Sequence, residues 1–88
     1  MNNNDSKKDV LKKLGNNIQK FRLKKPLTQM ELHLRTGLDR KFISEIEKGN
    51  VDPSFTTLLK LTKGLGISID DLCGELDIII PYDDEMKK

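Results

Sequence analysis

The stretch from Leu27 to Gly49 constrains this chain more than any other, because it sets two helix starts and two helix stops close together. Thr28 is a good N-cap, and Glu31 three residues on completes a capping box. Leu27 before the cap and Leu32 in the next turn are placed to form a hydrophobic staple. Gly37 can take a left-handed conformation and stop the first helix. Asp39 then caps a second helix with Phe42, Ile43 and Ile46 as its apolar stripe, and Gly49 lies past its end. The stretch therefore predicts two short helices joined by a tight glycine turn.

Two helices at a steep angle, joined by a three- or four-residue turn containing Gly, form a helix-turn-helix. The second helix of such a pair enters the DNA major groove and the first crosses the backbone. Here the second helix spans about residues 39–48. It turns Ile43 and Ile46 inward and leaves Arg40, Lys41, Ser44 and Glu45 outward, able to donate and accept hydrogen bonds at base edges.

These residues carry a resemblance. The chain resembles the lambda-repressor-like helix-turn-helix regulators, the XRE or Cro/C1-type family. Thr28-Gln29, Leu32, Gly37, Leu38, Ile43-Ser44, Ile46-Glu47 and Gly49 fall at its motif positions, and Pro53-Ser54, Thr57-Leu58 and Leu65-Gly66-Ile67-Ser68 continue it. The match runs from about Leu14 to Leu72. Leu38-Asp39-Arg40 with Phe42-Ile43-Ser44 also looks like the controller proteins of restriction–modification operons, a subgroup. The resemblance implies an all-α fold, a compact five-helix bundle, and a regulator that binds operator DNA as a homodimer. One position departs from it: His33 stands where the family usually has a small residue. That implies a wider helix crossing, an outward imidazole, or a partly buried ring with a backbone partner.

The rest of the chain fits a bundle. Ser6 and Asp9 offer a cap for a first helix whose apolar residues are Val10, Leu11, Leu14, Ile18 and Phe21. Gly15-Asn16-Asn17 weakens its middle, so residues 1–13 are either an extension with its own turn or the start of that helix. Lys24-Lys25-Pro26 ends it, because a residue before proline avoids helical geometry. Ser54 caps a fourth helix carrying Phe55, Leu58, Leu59, Leu61, Thr62 and Leu65. Ser68 and Asp71 box the start of a fifth. The DNA-binding domain is thus expected over 14–74. The tail, 75–88, holds Leu76-Asp77-Ile78-Ile79-Ile80-Pro81-Tyr82, whose β-branched content favours extended structure. It is read as a lid on the bundle or, by preference, a dimer or partner contact.

Charge agrees with a DNA-binding first half. Residues 1–48 hold twelve Lys or Arg against six Asp or Glu, and residues 49–88 hold four against eight. A basic half containing the helix-turn-helix is the footprint expected of a face that meets phosphates. No apolar run is long enough to span a bilayer, and the N-terminus does not read as a secretory signal. Cys73 is the single cysteine, which suits a reducing cytoplasm. His33 and Cys73 stand on separate elements, and no metal set has recognisable spacing. An enzyme is not expected, nor a metal or cofactor.

Site residues follow from the motif and the resemblance together. For base contacts these are Arg40, placed for guanine; Lys41, for guanine or a phosphate; Ser44, for a base or a phosphate; Glu45, for cytosine or for an ion pair with Lys41; and Phe42, for a thymine methyl or for the core. Asp39 is a cap. Phosphate contacts are assigned to Gln29 and Thr28 at the first turn of the second helix, to Lys48 and Asn50 past the third, and to Arg22. The rival from another class is a protein-interaction module, such as the partner-binding half of a toxin–antitoxin pair, using the acidic second half and the tail.

Overall fold

The computed structural model describes residues 5–74 and Leu76; the apolar tail from Asp77 onward lies outside the described residues. Five helices follow in order: α1 (Lys7–Lys24), α2 (Gln29–Thr36), α3 (Arg40–Glu47), α4 (Phe55–Leu65) and α5 (Ile69–Gly74). Among the described residues there is no strand. The all-α expectation is met, and no described helix is long and apolar enough to cross a membrane.

The caps do what their side chains predict. Ser6 with Asp9, Thr28 with Glu31, and Ser68 with Asp71 each bond side chain to backbone reciprocally. Asp39 accepts from the Lys41 amide, and Ser54 from the Thr57 amide. Of residues 1–13, those from Lys7 onward belong to the first helix. It is continuous from Lys7, and Gly15-Asn16-Asn17 lies inside it. Gly15 and Asn17 each have a tertiary reason. Gly15 meets the C-terminal end of α3 so closely that a Cβ would strike the carbonyl oxygens of Ile46 and Glu47. Buried Asn17 donates to the Leu72 carbonyl at α5.

One expectation about the stop of α1 is corrected. The helix ends at Lys24 as read, but Lys25 keeps helical dihedrals, φ −57° and ψ −42°, and its amide bonds the Phe21 carbonyl. The stop comes instead from Pro26, which has no N–H to continue the ladder. The next amide, Leu27, closes back on the Arg22 carbonyl.

α1 packs on α3, α4 and α5, and α2 packs on α3 and α4, around one core. Ile18, Leu32, Ile43, Ile46, Leu61, Leu65 and Leu72 are its fully buried side chains. Each contributes on the order of 1.5–3 kcal/mol by leaving water. Leu27 and Leu32, the expected staple pair, are both buried. In α4, Leu61 and Leu65 fill the core, while Phe55 and Leu59 face outward at 64% and 38% exposure. Leu76 packs partly against the core.

Candidate nucleic-acid interface

The turn between α2 and α3 is held by several hydrogen bonds to its backbone. Gly37 sits at φ 76° and closes α2 on the His33 carbonyl. Its left-handed backbone costs a non-glycine residue about 1–2 kcal/mol. The Leu38 amide donates to Thr36 Oγ1 at 3.1 Å, and Thr36 donates to the Leu32 carbonyl. The Leu38 carbonyl accepts from His33 Nδ1 at 2.6 Å. His33 is therefore half-buried with a backbone partner, and it fixes the angle at which α3 leaves α2.

α3 divides cleanly. Ile43 and Ile46 are fully buried and Phe42 packs partly against the core. Arg40 and Lys41 are exposed, and neither side chain makes a hydrogen bond or ion pair among the described residues. Ser44 and Glu45 are half-buried on the same outer side. Glu45 does not pair with Lys41. It accepts from Asn50 Nδ2 at 3.2 Å and lies 3.8 Å from Lys48 Nζ, so these three tie the end of α3 to the following loop.

Behind this face lies a buried polar cluster. Arg22 is 6% exposed. Its Nε and Nη2 donate to the two carboxylate oxygens of Glu47 at 2.7 and 3.0 Å, and its Nη1 to the Leu27 carbonyl at 2.8 Å. Gln29 Nε2 donates to the same Glu47 carboxylate at 3.0 Å. The structure thus places Arg22 differently from the sequence reading: its guanidinium is turned inward, where it neutralises Glu47 and fixes α1, α2 and α3 together. The competition between a phosphate and a buried carboxylate is decided by burial, since an unpaired Glu47 charge there would be costly.

Thr28 is exposed and occupied as the cap of α2. The Thr28 amide and hydroxyl hold the Glu31 carboxyl below the usual carboxylate range, with a smaller push the same way from Arg35. The structure brings Gln29, Ser44 and Lys48 to one polar cleft of about 420 Å³. Its other wall is α1, through Lys12, Asn16 and Gln19, which sequence reasoning missed. Their spacing by four and three residues marks one side of a helix, visible only once α1 is carried through Gly15. Among the described residues no group of three or more His, Cys, Asp or Glu could hold a metal.

A short helix with two cations on its outer face, unpaired among the described residues, held across a second helix by a glycine turn, defines a helix-turn-helix domain. This chain belongs to the helix-turn-helix family of transcriptional regulators of the XRE, or Cro/C1, type: the family matches residues 18–72. The uncharacterized HTH-type transcriptional regulator y4dJ of Sinorhizobium fredii is 32% identical over 76 residues, 86% of this chain and 91% of its own. The control protein C.MunI of Mycoplasma sp is 33% identical over 70 residues, 78% of this chain and 95% of its own. The restriction–modification controller protein C.Esp1396I has been solved as a tetramer in complex with its natural 35 base-pair operator. It superposes with a TM-score of 0.72 at 34% identity, covering 76% of this chain and 88% of that one.

Proposed function

We propose that this protein is a sequence-specific regulator that binds double-stranded DNA in the cytoplasm, as a homodimer on a near-palindromic operator. The observation that carries it is the outer face of α3. Arg40 and Lys41 are exposed, and unpartnered among the described residues, on a helix whose other side is locked into the core. Exposed cations held on a rigid element suit a groove, because little is lost in ordering them. Arg40 then pairs with guanine O6 and N7, with Lys41 beside it on a base or a phosphate. Lys48 and Asn50 hold the flanking backbone. Thr28 and Gln29 present the start of α2 to a phosphate, where the helix N-terminus favours negative charge. Glu45, held by Asn50 and Lys48, acts first in fixing that loop. Phe42, packed partly in the core, serves as an anchor. Arg22 acts through Glu47 and Gln29 and touches no phosphate.

The likeness to a controller solved on its operator supports the same reading. Arg40→Ala is its sharpest test. Affinity for a selected operator is expected to fall by about 1–3 kcal/mol while binding to random genomic fragments is kept. Equal loss on both would move Arg40 to the backbone, and no binding by the wild type at low salt would leave the protein-interaction reading.

A further inference from the structure

The cleft between α1 and α3 is lined almost wholly by donors. Lys12, Asn16 and Gln19 stand along one side of α1, Ser44 and Lys48 along one side of α3, and Gln29 closes the end. Two ammonium groups, three amides and a hydroxyl suit an oxyanion with several lone pairs. The single carboxylate at the floor, Glu47, does not oppose this. Both of its oxygens accept hydrogen bonds, and Arg22 offsets its charge at 2.7 Å. The side chains of Lys12, Asn16 and Gln19 make no hydrogen bond or ion pair among the described residues. They are exposed, so their donors are available. Ser44 and Lys48 share the outer side of α3 with Arg40 and Lys41, so the cleft opens beside the surface that would enter the groove.

We infer that this cleft seats a backbone phosphate of bound DNA, with Lys12 supplying charge and Asn16 and Gln19 neutral donors, which makes α1 part of the DNA-binding surface. The inference rests on the reading proposed above and extends it to an element outside the helix-turn-helix. It depends on α1 beginning at Lys7, since a helix opening at Leu14 would have no Lys12 wall.

Lys12→Met tests it on the full chain. The Lys12 backbone and stem lie against Gly49, with Cγ 2.9 Å from where a Cβ of that glycine would stand, and Met keeps the stem while removing the charge. Binding to random genomic fragments is measured from about 50 to 200 mM salt. The slope of log affinity against log salt should be shallower than wild type by about 0.9, so the variant loses about 3.5-fold less affinity across that range. Thermal melting should match the wild type. An unchanged slope with unchanged melting overturns the inference while leaving the regulator reading intact, whereas wild type that binds no fragment overturns both. Asn16→Asp, at an exposed position, is the second variant: it sets a like charge against the phosphate and should weaken fragment binding, and wild-type affinity would again refute the site. Inorganic phosphate is titrated in parallel. Phosphate binding that Lys12→Met abolishes, with the DNA slope unmoved, would assign the cleft to a free phosphoryl ligand and overturn the DNA placement.

Discussion

Glu47 brings a negative charge to the side of the domain proposed to meet DNA, and Arg22 cancels it from below. The pair is bidentate and nearly water-free, at 8% and 2% side-chain exposure. Breaking such a pair from one side leaves a buried charge without a partner and costs about 3–5 kcal/mol, a large share of what a domain this size has. Arg22→Met is therefore expected to lower the urea midpoint sharply, and Arg22→Met with Glu47→Leu to recover most of the loss. A cost near zero for the single change would mean that Glu47 finds water. Nothing in the sequence separates Arg22 from Lys24 and Lys25, because its partner is 25 residues away. Only the fold says which cation turns in. At the other end of the scale, Glu31 is solvent-exposed and its carboxyl is held down by Thr28 and then Arg35. A depressed folded-state value stabilises the protein above the ordinary carboxylate range, and that stability is lost as pH falls through the lowered value. Wild type should thus lose part of its advantage over Glu31→Gln below about pH 4.3, read by melting temperature across an acid series.

Helix starts were legible because they are local. Ser6, Thr28, Asp39, Ser54 and Ser68 each bond within three residues of themselves, and each could be read from spacing alone. The middle of α1 was less legible for the opposite reason. Gly15 lowers helix propensity, and what compensates it is the approach of α3, which no local pattern reports. The same gap hid Lys12, Asn16 and Gln19 as a wall of the cleft. In α4 six residues were named without a face assigned to each, more than one helical face holds, and Phe55 and Leu59 are those left outside the core. Gly15→Ala separates local from tertiary preference. In an isolated helix the change would help by about 0.5–1 kcal/mol. Here the added methyl would lie 2.6 Å from the Glu47 carbonyl oxygen, closer still to that of Ile46, and backbone cannot step aside as a side chain can. The expected outcome is destabilisation by about 1–3 kcal/mol in chemical denaturation. A stabilised variant would show that α1 and α3 can separate at little cost.

At the scale of the whole molecule the question is how one small domain selects a site. A single α3 reads only a few base pairs, and in the proposed homodimer two copies stand on a two-fold axis, with half-sites about 34 Å apart along one turn of DNA. Each recognition helix then lies about 17 Å from the axis. Specificity by pairing requires the two copies to touch across that axis while each fills its own groove segment. Such an arrangement ties affinity to spacing. With an operator recovered by selection from random duplexes, inserting about 5 base pairs between the half-sites turns one of them to the far side of the helix. Binding should fall toward that of a lone half-site, because the copies can no longer meet while both are docked. Restoring the rotational phase with about 10 inserted base pairs should not restore affinity, since the half-sites then stand a further 34 Å apart. If two molecules bound the spaced and native operators equally well, each domain would be acting alone, and the pairing across a two-fold axis would have to be abandoned even if Arg40 still read its base.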